Sequence, residues 1–137
     1  MLKLPNAVLA PASDAILLAA RFGLAWIFLH EGVWLLMNFD AAAAGMAKLG
    51  VPLPALIATT ILQIAAGLAI ALGFYARIGA AALGGFCLAT AVLFHNNVAL
   101  RNELLHFEKD IAIAAGMFVL MIHGSGKWSV DALLRRA

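Results

Sequence analysis

Three of the four histidines and several carboxylates lie near the predicted ends of apolar segments, where they could exchange protons with a bound ligand. His30 and Glu31 are adjacent, and Trp26 and Trp34 share a helical face with His30. An imidazole donates or accepts hydrogen bonds near neutral pH, and a nearby carboxylate can take up the proton. This chemistry suits a quinone head group whose ring is covered by aromatic side chains. The candidate cofactor-binding residues are Trp26, His30, Glu31, Trp34, His95, His106 and Glu108.

The same residues allow two other interpretations. Three histidines with Glu31 or Glu108 form a set of nitrogen and oxygen ligands that would suit a transition metal. Neither an HExxH nor a CxxC spacing is present, so we assign no metal and no catalytic residue. Alternatively, the imidazoles and carboxylates tie the helix ends together in a structural hydrogen-bond network.

The composition indicates an integral membrane protein. Of the 137 residues, 65% are hydrophobic and 12% are charged, whereas soluble domains have about 45–50% apolar and about 25% charged residues. We therefore expect residues 1–137 to form a single membrane-embedded domain. The formal net charge of +2 is small, and the positive residues form no stripe, which excludes a nucleic acid as partner.

Four apolar segments predict an all-α bundle of four transmembrane helices, arranged as antiparallel up-down hairpins. About 20 apolar residues, at roughly 1.5 Å each, cross the hydrocarbon of a bilayer. The predicted spans are 15–37, 54–74, 78–96 and 109–123. A short interfacial helix is expected within 41–50, and Ser13 or Asp14 is expected to cap the first span.

Small residues spaced four apart within the second and third spans predict a tightly packed four-helix bundle. In lipid, helices associate mainly through close backbone approach, because the lipid tails are as apolar as the side chains. The expected contact residues are Ala65, Ala69 and Gly73 in the second span and Ala81, Gly85 and Ala89 in the third.

The flanking cations predict the orientation in the membrane. With four spans both termini share one side, and that side has five flanking positive residues against three on the other. Both termini are therefore expected in the cytoplasm, with Arg21 extending to that interface. The polar loop 96–110 and the end of the first span would then meet on the opposite side, bringing the candidate residues together. The five positive residues on the side of the termini are Lys3, Arg77, Lys127, Arg135 and Arg136, and the three on the other side are Lys48, Arg101 and Lys109.

Several short motifs, in this order and spacing, resemble the DoxX family. The resemblance covers nearly the whole chain, although Gln63 stands where many members carry Glu. The motifs are Arg21-Phe-Gly, His30-Glu-Gly, Leu49-Gly-Val-Pro, Gly67-Leu, the stretch ALGFYAR over 71–77, Glu108-Lys-Asp and the closing Gly124-x-Gly-x-x-Ser129-x-Asp131.

This resemblance implies a four-helix protein of a bacterial inner membrane. The namesakes of the family are subunits of a quinone-reducing thiosulfate oxidoreductase, and relatives associate with redox or stress enzymes. The resemblance therefore implies a membrane subunit of a quinone-linked oxidoreductase or respiratory complex, with a quinone as candidate cofactor. No CxxCH haem-attachment motif and no nucleotide-binding loop are present, so the electrons would come from another protein.

Two alternatives of a different class stay open. The first is a non-enzymatic scaffold that recruits a partner, which would be another membrane or redox protein or a second copy. The second is a small transporter, which ranks last because the middle of the later spans offers only Gln63, Cys87 and Thr90 as polar residues. In each case the bilayer is a partner of the chain.

Overall fold

The computed structural model describes the backbone of residues 6–135 and the side chains of residues 12–135. Every regular element in this range is a helix, which confirms the prediction of an all-α chain. Lys3 and Arg136, which entered the charge count, lie outside the described residues. The helices are α1 (Asn6–Met37), α2 (Phe39–Lys48), α3 (Leu53–Leu72), α4 (Ala76–Phe94), α5 (Arg101–His123) and α6 (Val130–Leu134).

Three helices are long and apolar enough to cross a membrane. They are residues 12–37 of α1, the whole of α3 and the whole of α4. Helix α5 has 23 residues, but it is not among these three, and charged residues fill its first half.

Helix α5 begins at Arg101, so the polar loop predicted over 96–110 is wrong for most of its length. Its first half is amphipathic: Glu103, Leu104 and Phe107 are partly covered, and Asp110 is buried. This spacing of three and four residues continues into the buried Ala114 and Met117. A stripe at helical period is enough to extend the helix through this segment, because most of its charged residues, Arg101, Glu108 and Lys109, are exposed on the opposite face.

The start of α1 also differs from the prediction. The helix begins at Asn6, so Ser13 and Asp14 lie inside it and neither caps it. Asp14 instead forms an ion pair with Lys127, with 3.5 Å between Oδ2 and Nζ. The short helix expected within 41–50 is present as α2.

The four long helices pack in the order α1, α3, α4, α5, and α1 makes a smaller contact with α5. Their common core contains Phe28, Ile70, Leu83 and Met117, one from each helix. Helix α2 is held against α1 and α3 by a separate cluster of Leu35, Ala42 and Leu56.

The helices use only part of the expected set of small residues: Gly73 is buried, Ala69 and Ala81 are half-buried, and a Cβ at Gly79 would lie 3.5 Å from that of Ala69. Ala65, Gly85 and Ala89 are exposed, and a Cβ added to Gly85 would meet nothing within 4 Å. Close approach occurs instead at neighbouring positions: a Cβ at Gly32 would lie 2.6 Å from Ile64 Cγ1, and one at Gly84 would lie 3.0 Å from Phe118. Ala and Gly are abundant on every face of α3 and α4, so their spacing alone could not identify the packed face.

Candidate functional site

Two groups of polar side chains lie at opposite ends of the bundle. We call one the Arg21 end, which comprises Arg21, residues 73–77 and residues 124–135. We call the other the His95 end, which comprises the 95–100 loop and the first turns of α5. The chain reversals fix this arrangement, because α4 runs from the first end to the second and α5 runs back.

At the His95 end, four titratable side chains form a connected group, which we call the His95 cluster. His95 Nδ1 lies 2.9 Å from Glu103 Oε2, and these side chains are 28% and 33% exposed. The His95 ring stacks on the His106 ring with 5.0 Å between centroids, and His106 Nδ1 lies 3.2 Å from Lys109 Nζ. Solvent therefore reaches a set of groups that can pass protons between one another.

The partners of the two imidazoles dictate different tautomers. An ammonium can only donate, so His106 accepts at Nδ1 and, when neutral, carries its proton on Nε2. A carboxylate can only accept, so His95 donates from Nδ1, which makes its Nε2 an acceptor when the ring is neutral. The cluster therefore combines one donor and one acceptor nitrogen on stacked rings.

A second polar pair lies deeper in the bundle between the same two helices. Thr90 Oγ1 donates to Asp110 Oδ2 over 3.0 Å, and Asp110 is 9% exposed. Thr90 also lies 2.9 Å from the carbonyl of Cys87, which is buried. A buried carboxylate needs such a donor, because an unpaired charge in this environment would be costly.

The other candidate residues lie elsewhere on the molecule. His30, Glu31 and Trp34 are exposed on α1, and Trp26 is 69% exposed with its ring 6.1 Å from that of His30. Within residues 12–135, no contact joins them to the His95 cluster. Glu108 is exposed on α5, and the carboxylate that faces His95 is that of Glu103. The expected set of seven residues is therefore divided between two surfaces.

Metal binding has no geometric support in the part of the chain that the structure describes. No three side chains of His, Cys, Asp or Glu come close enough there to hold one ion. The two stacked imidazoles of the His95 cluster each already face a different charged group.

The Arg21 end contains the most deeply buried ionisable side chain of the described chain. Arg21 is 2% exposed, so the expectation that it extends to the interface is wrong. Its Nη1 donates to the carbonyls of Ser125 and Trp128, the latter over 2.9 Å, and its Nη2 donates to that of Ala71 over 3.0 Å. The planar fork of a guanidinium reaches several acceptors at once, which binds α1 to the end of α3 and to the segment after α5.

The segment around Arg21 is closed by further hydrogen bonds. Gly73 has a φ of 69°, and its carbonyl accepts from the Asp131 amide over 2.9 Å. The Asp131 carboxylate accepts from the Tyr75 amide over 3.1 Å, and Ser129 caps α6 by accepting from the Ala132 amide. The G-x-G…S-x-D motif thus holds the α3–α4 turn against the chain end.

Three residues of these two sites were not among the candidates predicted from the sequence. Glu103 and Lys109 lie three residues before and after His106 on one helical face, but the segment was expected to be a loop. The buried role of Arg21 was missed because its acceptors are backbone carbonyls, which leave no signal in side-chain types.

The chain is similar to one known protein family and to two inner membrane proteins. The DoxX family model matches residues 16–96. The chain is 35% identical over 123 residues to inner membrane protein YqjF of Escherichia coli (strain K12), covering 90% of this chain and 95% of the relative. It is 33% identical over 127 residues to inner membrane protein YphA of the same organism, covering 88% and 91%. No solved structure matches the chain significantly.

These findings agree with the three apolar helices and support a location in a bacterial inner membrane. The family match covers more than half of the chain, from α1 to the end of α4. It includes Arg21 and the turn around Gly73, and the relatives extend the similarity to most of the sequence. The resemblance inferred from the motifs is therefore confirmed, and this chain belongs to the DoxX family of membrane proteins.

Proposed function

We propose that this protein is a four-span membrane subunit of a quinone-linked redox complex, with α5 as the fourth span and both termini in the cytoplasm. The packing of α5 along α4 supports the fourth span, since it leaves the apolar half of α5 level with three helices that can cross a bilayer. The cations of the Arg21 end support the orientation, because cytoplasmic flanks are enriched in Lys and Arg. Among the described residues these are Arg77, Lys127 and Arg135.

The observation that carries the redox role is the His95 cluster. Reducing a quinone consumes two electrons and two protons, so its head group needs hydrogen-bond partners connected to a proton supply. His106 Nε2 would donate to a carbonyl of the quinone, and His95 Nε2 would accept from a hydroxyl of the quinol; Lys109 and Glu103 fix these roles. The residues present therefore fit a quinone head group, which His95 and His106 would hold and orient.

The chain's own residues then act on protons, not on electrons. Glu103 accepts from His95 Nδ1, which leaves His95 Nε2 free to relay a proton between solvent and a bound ligand. The partial exposure of both side chains keeps this supply open. The electrons come from a partner redox protein, because no redox motif is found in the sequence.

Replacing His106 with alanine is expected to weaken binding of a short-chain ubiquinone analogue about tenfold, since a hydrogen bond contributes about 1–1.5 kcal/mol. Affinity can be measured on the purified protein in detergent by quenching of tryptophan fluorescence. The matched control is Asn102→Ala, an exposed polar residue in the same turns of α5. Equal affinity of the His106→Ala variant and the unaltered protein would rule out the head-group site.

The exposed face of α1 favours a second candidate function, that of a recruiting subunit. Ionisable side chains within spans almost always face protein or a water-filled cavity, because exposure to hydrocarbon costs about 2.5–3.5 kcal/mol on insertion scales. Glu31 and His30 are exposed on α1 between Trp26 and Trp34. A helix of another membrane protein, packed on this face, would cover them and could complete a ligand site.

A photo-crosslinking amino acid placed at position 34 is expected to capture a membrane redox protein in growing cells. The control position is Leu93, which is also exposed (68%) but lies on α4. Adding Glu31→Leu should remove the adduct formed from position 34, because the acidic contact is lost. Adducts with lipid alone from position 34 would contradict recruitment, and an adduct of twice the chain's mass would identify a second copy as the partner.

A further inference from the structure

We propose that an anionic phospholipid binds at the Arg21 end, with its head group in a basic cavity and one acyl chain in an adjoining apolar groove between α1 and α5. The cavity is lined mainly by charged and polar residues and the groove mainly by aliphatic ones, and His123 lines both. This site is distinct from the His95 cluster, so the inference does not depend on the redox role.

The basic cavity has a volume of about 710 Å³ and is formed mainly by the segment that follows α5. Three cations line it, together with two carboxylates. Both carboxylates are already engaged: Asp14 pairs with Lys127, and Asp131 accepts from the Tyr75 amide. Within the described part of the chain the guanidinium of Arg77 has no hydrogen-bond or ion-pair partner. The cations are Arg77, Lys127 and Arg135.

The cavity therefore favours an anion. Arg77 lies beside Gly124, where an added Cβ would be 3.0 Å from its Nε, so its head is held at the wall of the cavity. Lys127 is 68% exposed, and its ammonium has three N–H donors, so it can reach a second acceptor while it stays paired with Asp14. A guanidinium and an ammonium together recognise a phosphate group well, since the first binds it in a forked geometry and the second as a point charge.

The apolar groove shares His123 with this cavity and runs between α1 and α5. It has a volume of about 250 Å³ and lies where α1 and α5 touch only lightly. Gly116 leaves space at the base of the groove, because a side chain there would fill it: an added Cβ would already lie 3.3 Å from Leu24 Cδ2. Its walls are otherwise aliphatic: Leu17, Ala20 and Leu24 of α1, and Val119 and Leu120 of α5.

One buried polar atom points to an occupant of this groove. Arg21 lines the groove, is 2% exposed, and its Nε is buried without a hydrogen-bond partner among the described residues. An unpaired buried N–H is costly and calls for an acceptor. A phospholipid carries ester carbonyls between its head group and its acyl chains, and these are acceptors of the kind that this N–H lacks. A free phosphate ion would bind the cations of the cavity but leave both the groove and this N–H unmatched.

Native mass spectrometry of the full-length protein in detergent tests the proposal. We expect phosphatidylglycerol to remain bound where phosphatidylcholine with the same acyl chains dissociates. Each basic residue near an anionic lipid contributes roughly a fivefold factor, so Arg77→Gln with Lys127→Gln should weaken phosphatidylglycerol binding about 25-fold. Lys127→Gln alone is the fallback if the double variant does not fold, with about a fivefold loss expected.

The control variant is Arg101→Gln, which removes an exposed arginine from the His95 end and should leave binding unchanged. Val119→Phe, on the groove wall, should weaken phosphatidylglycerol binding without changing any charge. Three results would each overturn the proposal. They are equal retention of both lipids, unchanged binding in Val119→Phe, or a rise in the melting temperature with inorganic phosphate alone that equals the rise with phosphatidylglycerol. The last would identify an anion site that does not select lipid.

Discussion

Replacing Arg21 with methionine is expected to destabilise the protein by about 3–6 kcal/mol, the largest loss of any single side chain. The substitution leaves the carbonyls of Ala71, Ser125 and Trp128 without a donor. A buried polar group that loses its partner costs about 1–3 kcal/mol. The free energy of unfolding can be measured by denaturant titration in detergent, with helical circular dichroism as the signal.

Two variants decide whether the hydrogen bonds of Arg21 or its charge are responsible. Arg21→Lys keeps the charge but replaces a planar fork with a single ammonium, so we expect it to recover only part of the loss. Arg101→Met removes an exposed arginine and is expected to change stability by less than about 0.5 kcal/mol. A fully stable Arg21→Met protein would show that the chain end does not depend on this residue.

Replacing Gly73 with alanine is expected to cost about 2–5 kcal/mol, because two independent penalties act at this position. The residue ends α3 with a φ of 69°, a conformation that costs about 1–2 kcal/mol for a residue with a Cβ. The added Cβ would also lie 2.5 Å from that of Ser129 and 3.0 Å from Arg21 Nη1. Relieving this overlap would displace the hydrogen bonds that close the Arg21 end.

Gly50 provides a control that separates the two penalties. It has a similar φ of 74°, but a Cβ there would meet nothing within 4 Å. Gly50→Ala should therefore show the backbone penalty alone, about 1–2 kcal/mol. Equal losses for Gly50→Ala and Gly73→Ala in the same unfolding titration would mean that the contact with Ser129 is easily relieved.

Three of the motifs that resemble the DoxX family meet at the Arg21 end. Arg21, the turn after α3 and the G-x-G…S-x-D segment are far apart in sequence, yet hydrogen bonds join all three. These three segments therefore form one contact region in the folded protein. The same segment lines the basic cavity, so the groups that hold the fold also form the wall of the proposed lipid site.

Composition and hydrophobic segments were sufficient to predict an all-α membrane protein, and the lengths of α3 and α4 are close to the predicted spans. These features depend on local properties: apolar residues partition into lipid, and a chain in lipid must satisfy its own backbone hydrogen bonds. The short helix α2 was also predictable, because Gly50 and Pro52 end it and start the next helix. The start of α5 was not, since its charges concealed an amphipathic pattern.

The candidate sites depended on contacts between distant residues, which only the tertiary structure could decide. The sequence by itself placed His95 and His106 near each other, since one short connection separates their helices. It could not decide that Glu103, rather than Glu108, faces His95, because that choice rests on the rotation of α5 about its axis. Nor could it reveal that Arg21 is buried, because the acceptors of Arg21 are main-chain carbonyls that any residue could supply. Side-chain types determine which groups can interact, whereas helix rotation and backbone geometry determine which of them come into contact.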